Sequence, residues 1–229
     1  MSLFAIADLH LSLGEDKPMD IFAGWNDYVS RLKNNWLKLI DNDDTVVIGG
    51  DISWAMKLED TLEDFLWINE LPGKKIFLKG NHDYWWGTKS KIDKFLDANN
   101  LNTISVLFNN SYVCDEYAVC GTRGWFLEND TPEDVKVLNR EIGRLRTSIA
   151  SAVNTHKEPI VFLHYPPYYN NIECKEIIDV LLEYNIKKCY YGHIHGAKNF
   201  RNAFEGDYKG IELKLISCDR LSFVPMLVR

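Results

Sequence analysis

The chain has 229 residues, 46% of them hydrophobic and 26% charged, and a formal net charge of −7. That is enough chain to bury a sizeable core, and the acidic balance argues against a general nucleic-acid or anionic-membrane binder. No apolar run reaches the ~18 residues that a membrane helix needs, and no leader precedes the first apolar run at 3–7, so no membrane partner and a cytoplasmic location are expected. Cys114, Cys120, Cys174, Cys189 and Cys218 are odd in number, scattered and without a CxxC pair, which points to reduced thiols. No Pro/Gly/Ser-rich linker interrupts the sequence, so residues 1–229 are expected to form one domain.

In chain order, Leu3-Phe4-Ala5-Ile6-Ala7 reads as a buried strand ending in Asp8-Leu9-His10. Side chains two apart in extended chain share a face, so Asp8 and His10 project together. Residues 11–26, with Gly14, Pro18 and Gly24, form a loop leaving that strand end. Its Phe22 and Trp25 are placed either to line a site there or to pack on the core. A helix over 27–40 carries the apolar stripe Val29, Leu32, Trp36 and Leu39. The β-branched run Thr45–Ile48 is a second strand and meets Gly49-Gly50-Asp51. A helix over 58–71, with Leu58, Leu62, Phe65 and Leu66 on one face, is stopped by Pro72-Gly73. A third strand over 75–79 runs into Gly80-Asn81-His82-Asp83, and a short helix follows over 89–98.

Residues 103–119 read as strands and a hairpin, with turns at Asn109-Asn110 and Asp115-Glu116. The Gly-flanked segment Gly121-Thr122-Arg123-Gly124-Trp125 closes this block. The longest helix opens at Thr131-Pro132, an N-cap followed by the first helical position, with Glu133 and Asp134 suiting the helix dipole. Its seam is Val135, Leu138, Ile142, Leu145, Ile149 and Ala152. A strand over 159–163 ends in His164, and a helix over 174–184 follows. A strand over 188–191 ends in Gly192-His193-Ile194-His195, and two last strands are expected over 211–217 and 223–228. Early strand–helix alternation predicts parallel pairing, and the hairpins add antiparallel edges. Two packed sheets with helices outside satisfy both.

Of six histidines, those at 10, 82, 164, 193 and 195 lie where a strand meets a loop; His156 is the exception, at a solvated helix end. The strand ends also carry Asp8, Asp51 and Asn81. Open α/β sheets place ligands at strand C-termini. The donors are oxygen and nitrogen without thiolate, a set suited to manganese, iron or zinc. Seven ligands are too many for one ion and suit two ions that share a carboxylate.

The ordered set Asp8-x-His10, Gly50-Asp51, Gly80-Asn81-His82-Asp83, His164 and Gly192-His193-x-His195 resembles the calcineurin-like metallophosphoesterase family. The resemblance implies a mixed α/β fold, a four-layer α/β/β/α sandwich, and a centre of two divalent or trivalent metal ions. It assigns Asp8, His10 and His195 to one ion, Asn81, His164 and His193 to the other, and Asp51 to both. It further implies a metal-bridging hydroxide as nucleophile and His82 as the acid or phosphoryl stabiliser, with Asp83 a candidate orienter of His82 or of its loop. The chain departs from the family at Trp54 and Ala55, where many members carry Asp and the protein phosphatases continue with Arg. That departure weighs against a protein phosphatase and leaves His82 to find another orienter. Arg123 is a candidate phosphate clamp, since Gly121 and Gly124 allow close backbone approach. Trp54, Trp85 and Trp86 directly follow ligand motifs and are placed to stack on a flat leaving group or to pack in the core. The expected activity is hydrolysis of a small soluble phosphate monoester or diester, with no nucleic-acid partner. The alternative is a non-catalytic scaffold or interaction module on the same fold, which should have lost ligands; none is missing here.

Overall fold

Short aliphatic and β-branched runs, each bounded by Gly, Pro, Asn or Asp, make the strands, and longer amphipathic runs make the helices. The computed structural model describes residues 1–126 and 131–228. The order is β1 (Leu3–Ile6), α1 (Tyr28–Leu39), β2 (Thr45–Ile48), a 3₁₀ turn (Leu58–Thr61), α2 (Leu62–Glu70), β3 (Lys74–Phe77), α3 (Lys89–Ala98), β4 (Ile104–Val106), β5 (Tyr112–Cys114) and β6 (Tyr117–Thr122). There follow α4 (Pro132–Val153), β7 (Glu158–Leu163), β8 (Tyr168–Tyr169), β9 (Ile172–Glu173), α5 (Lys175–Glu183), β10 (Lys188–Tyr191), β11 (Gly206–Tyr208), β12 (Ile211–Leu215) and β13 (Met226–Leu227).

One sheet has the order β13-β1-β2-β3-β4 and the other β11-β12-β10-β7-β6-β5, with β8 and β9 pairing apart from both. Within each sheet the central strands are parallel: Ile6 lies opposite Ile48, Ile48 opposite Phe77, and Tyr191 opposite both Leu163 and Leu215. The edge strands β13, β11 and β5 pair antiparallel. The period-two alternation of side chains divides the apolar residues into layers. Leu3, Ala5, Val47, Ile76, Ile160, Phe162 and Tyr190 face one another between the sheets. Phe4, Ile6, Val46, Ile48 and Phe77 face α1, α2 and α3, and Val161, Leu163, Cys189 and Tyr191 face α4 and α5. The result is the expected α/β/β/α sandwich.

Helix starts follow the sequence closely. The Thr131 hydroxyl accepts from the Asp134 N–H at 3.1 Å, and the Thr88 hydroxyl accepts from that of Lys91 at 3.3 Å. Helix phases differ in places. In α1 the buried set is Tyr28, Leu32 and Trp36, while Leu39 is 44% exposed because Ile40, just past the helix, takes the last core position. Leu58 belongs to the 3₁₀ turn, whose tighter winding breaks the expected phase; Phe65 and Ile68 are buried and Leu66 is 42% exposed. In α4, Val135 is exposed, and the polar Glu141 and Ser148 join the buried face to serve Thr122 and the Gly121 N–H. The last expected strand, 223–228, shortens to β13 because Ser222 and Phe223 turn through positive φ. All five cysteines are buried free thiols, as expected.

Phe162 is fully buried between the sheets and stacks on Tyr190, with ring centroids 5.2 Å apart and planes 18° apart. Phe162→Ala should therefore cost about 3–5 kcal/mol in urea unfolding. Leu39→Ala, on the same scale, should shift stability by no more than about 0.5 kcal/mol. A large effect at Leu39 would contradict the helix phase described.

Candidate metal centre

Parallel neighbours β1, β2 and β3 in one sheet and β7 and β10 in the other deliver their C-terminal residues to one seam. Asp8 and His10 follow β1, Asp51 follows β2, Asn81 and His82 follow β3, His164 follows β7, and His193 and His195 follow β10. The seven side chains singled out as metal donors come together. His10 Nε2 lies 3.3 Å from His195 Nε2, and His195 Nε2 lies 3.5 Å from Asp8 Oδ1. Asn81 Oδ1 is 2.7 Å from His164 Nε2 and 2.8 Å from His193 Nδ1. Asp51 Oδ2 stands 3.7 Å from His10 Nε2 and 3.4 Å from His164 Nε2. Two groups able to hold a cation result, Asp8–His10–His195 and Asp51–His164–His193, with the donor atoms of each group within 4.8 Å of one another.

The chain reaches this convergence through backbone that most residues avoid. Asp8, His10, Asp51 and His193 have φ of 62°, 46°, 50° and 73°. Asp and His tolerate the left-handed region better than most residues, at a cost of about 1–3 kcal/mol each. Hydrogen bonds across the strand ends hold them there. The Asp8 N–H donates to the Gly50 carbonyl at 2.8 Å, and the His10 N–H to the Asp51 carbonyl at 2.9 Å. The His193 N–H donates to the Asp8 carboxylate at 3.0 Å. Where the β2 and β3 loops touch, only glycine fits: a Cβ on Gly80 would sit 2.1 Å from Asp51 Oδ1, and one on Gly50 would sit 2.7 Å from the Gly80 Cα.

The donor chemistry fits cations. Imidazole nitrogens facing one another across 3.3 Å beside buried carboxylates leave lone pairs that need a shared positive charge. Burial opposes charge on His164 and His195. The carboxylates outweigh it, Asp51 and then Asp8 lifting His164 to about 9, and Asp8 with Asp219 lifting His195 to about 10. Burial instead carries His10 and His193 down to about 4. Burial also opposes charge on Asp8 and Asp51, yet the neighbouring imidazoles hold both carboxyls below their usual range. Outer partners fix the rings: His164 Nδ1 is 3.0 Å from the Gly49 carbonyl, and His195 Nδ1 is 3.0 Å from Asp219 Oδ1. Sequence reasoning missed Asp219. Its signal was available, for it follows an apolar strand as Asp8 and Asp51 do; in the structure Ser217 bridges to Ala7 and brings that strand end to Asp8.

The remaining candidates separate. Asp83 is fully buried, and its carboxylate accepts from the N–H groups of Gly80 (2.7 Å), Ile52 (2.8 Å) and Asp51 (2.9 Å) and from Trp85 Nε1 (3.1 Å). It orients the loop rather than the His82 ring. Burial, with Asp51 nearby, raises its carboxyl to about 7. Trp85 is a core residue against Phe65, centroids 5.0 Å apart, which corrects the expectation that it contacts substrate. Trp86 is buried beside it. Trp54 does reach the centre: its ring stacks on His10 at 4.8 Å and tilts against His82 at 4.6 Å. In the position where the family pattern carries Asp, an indole holds the His82 ring by contact, and His82 Nδ1 is buried without a hydrogen-bond partner among the described residues. Arg123 is turned to buried Glu141, with Nη2 3.6 Å from Oε1, and its guanidinium covers Trp125. It does not line the pocket beside the centre, which is bounded by His10, Trp25, Trp54, His82 and His195 with Met19 and Phe22.

Three structures of other proteins share the fold. They are a protein of unknown function, AQ665, from Aquifex aeolicus (TM-score 0.56, 16% identity, 99% of this chain and 95% of that one) and the phosphopantetheinyl hydrolase of Mycobacterium tuberculosis (0.55, 14%, 99% and 95%). The third is TT1561 of Thermus thermophilus (0.55, 12%, 84% and 81%). No curated protein matches the sequence. The family model for calcineurin-like phosphoesterases matches residues 1–197, a span that contains every donor from Asp8 to His195. With its motifs, fold and family match in agreement, the chain belongs to the calcineurin-like phosphoesterase family and is a metal-dependent phosphohydrolase.

Proposed function

We propose that the protein, acting as one domain over residues 1–229, hydrolyses small soluble phosphate esters at a dinuclear centre. Asp8, His10 and His195 would hold one cation, and Asn81, His164 and His193 the other. Asp51 would serve both. The observation that carries this reading is a single oxygen, Asp51 Oδ2, standing between His10 Nε2 at 3.7 Å and His164 Nε2 at 3.4 Å. The other oxygen, Oδ1, accepts the His82 N–H at 2.7 Å and so cannot swing away. Manganese, iron and zinc suit the donor set.

When bound, two such cations polarise a phosphoryl group and supply a nucleophile at neutral pH. The chain's own residues supply the rest. His82 presents its imidazole to the pocket and sets a proton, or a positive edge, against the leaving oxygen. Its Nδ1 is sealed, which leaves Nε2 for the substrate. Trp54 restricts the ring's tilt and excludes water from one side. Asp83 keeps Asp51 and the Gly80 turn in register. Asp219 holds the His195 ring with Nε2 toward Asp8.

Four outcomes test this. Asp51→Asn should lose occupancy of at least one ion and all turnover of aryl phosphates; full occupancy of both ions by metal analysis would count against it. His82→Ala should keep its metal and lose kcat by roughly 10²–10⁴, and unchanged turnover would remove it from the chemistry. Asp219→Asn should weaken metal affinity by about 10–100-fold, measured by competition with a chelator. Chelation should abolish turnover and lower the Tm, with both restored by Mn²⁺, Fe²⁺ or Zn²⁺; activity that persists after complete chelation would refute the reading. The same assay, run on aryl monoesters and diesters, separates those two substrate types.

A further inference from the structure

Beside the centre lies a pocket of about 450 Å³, within the size range of small-molecule sites. Its floor is His10, His82 and His195, and its walls are Met19, Phe22, Trp25 and Trp54. The two indoles bracket the imidazoles: Trp25 lies 5.7 Å from the His195 ring and 5.9 Å from the His10 ring, and Trp54 contacts both His10 and His82. Apart from the three imidazoles of the floor, no side chain among the described residues lining it offers a carboxylate, amide, hydroxyl or cation; Lys17, outside that lining, holds its ammonium 5.5 Å from the Trp54 ring centroid and donates to the Trp54 carbonyl. The Trp54 indole N–H is already directed at Met19 Sδ, 3.4 Å away. At the mouth, Phe22 is 52% exposed and its neighbour Ile21 75% exposed, both on the loop that leaves β1 beside Asp8 and His10.

We propose that this pocket receives the alcohol part of the substrate, and that this alcohol is apolar and poor in hydrogen-bonding groups: an alkyl or simple aryl phosphoester rather than a sugar, nucleoside or peptidyl ester. The inference rests on the phosphohydrolase reading of the centre and deepens it. The placement follows from His82, which is part of the pocket floor and faces the leaving oxygen in that reading. An alcohol leaving from beside His82 runs along the Trp54 face. A polyol or base seated along the walls would give up water and find no side-chain partner on Met19, Phe22 or Trp54, whose indole N–H is directed at Met19, whereas methylenes would be buried against indole, phenyl and thioether. The missing Asp and Arg of the family pattern fit the same account. Trp54 stands in the pocket wall where the pattern has the Asp, and the position of the Arg is taken by the fully buried Ala55.

Isothermal titration of the metal-loaded protein with ethyl-, butyl- and hexylphosphonate, and with 2-(2-hydroxyethoxy)ethylphosphonate as a polar analogue of hexyl length, reads the pocket without turnover. Affinity should rise about fourfold per methylene, and the ether analogue should fall back toward the ethyl compound. Phe22→Ala, at an exposed loop position, should flatten the rise while leaving the Tm of the metal-loaded protein unchanged. Equal affinities across the series, or tighter binding of the ether analogue, would overturn the proposal. Turnover of ethyl and hexyl phosphate, measured in parallel, keeps the two readings apart. Hydrolysis of both with a flat binding series removes the apolar pocket and leaves the phosphohydrolase. A steep binding series with no hydrolysis under any of the three metals leaves the pocket and removes the phosphohydrolase.

Discussion

Asp83 is the side chain on which the geometry of the centre depends. Its carboxylate gathers N–H donors from two separate strand ends, Asp51 and Ile52 after β2 and Gly80 after β3, and adds the Trp85 indole from below. The loops it joins are short, polar and buried, so their N–H groups would otherwise be desolvated without partners. One acceptor with two oxygens answers several donors at once. The contact also sets distance: with Gly80 drawn against Asp51, a Cβ on that glycine has no room, and Asp51 is pressed toward the imidazoles across the seam. Burial and the Asp51 charge both act against an ionised Asp83, and the backbone donors oppose them. The clamp is thus held by hydrogen bonds working against desolvation.

That clamp shows why a sandwich suits this chemistry. Neither sheet holds a complete donor set. The β1–β2–β3 side brings Asp8, His10, Asp51 and Asn81, and the β7–β10 side brings His164, His193 and His195. The apolar inter-sheet layer of Ala5, Val47, Phe162 and Tyr190 fixes how far apart the two half-sites stand. Small residues at the top of that layer matter as much as large ones below: a Cβ on Gly192 would sit 2.7 Å from Asp8 Oδ2 and one on Gly50 2.7 Å from His164 Nδ1, and without them Asp8 and His164 stand 3.7 Å apart. Positive φ at Asp8, His10, Asp51 and His193 then turns side chains inward from strand ends that would otherwise carry them past one another.

Much of this was legible in the sequence because each donor follows a short apolar run, and strand termini recur in one place when strands are parallel. The resemblance added the division of donors between two ions, which spacing alone leaves open. Helix phase was less legible. Ile40 displaces Leu39 from the core because a residue beyond a helix end can be buried as well as one within it, and Leu58 winds in a 3₁₀ turn. The role of Asp83 was half visible: adjacency to His82 suggested the ring, but a side chain directed into the protein beneath its own loop meets backbone donors first. Trp54 and Trp85, two similar residues after two similar motifs, ended in different places, one at the edge of the core on the imidazoles and one inside it on Phe65. Nothing local in the sequence distinguishes them.

Trp54, in the position where many members carry Asp, links orientation to selectivity. In a site with a carboxylate behind the acid–base histidine, the ring is fixed by a directional bond, and the surrounding space must remain polar to solvate that carboxylate. Here the His82 ring is fixed by contact with an indole, and the described residues lining the pocket include no carboxylate to be solvated. The side chains of the wall that line the pocket, Met19, Phe22, Trp25 and Trp54, are then free to be apolar. A packing contact is less directional than a hydrogen bond, so precision at His82 has to come from the rigidity of its neighbours. Trp54 obtains that rigidity from three sides: His10 stacked on its face, Met19 at its indole N–H, and its main-chain N–H bonded to the Leu11 carbonyl at 2.9 Å. The segment that forms the apolar wall therefore also braces His82, and a change in one alters the other.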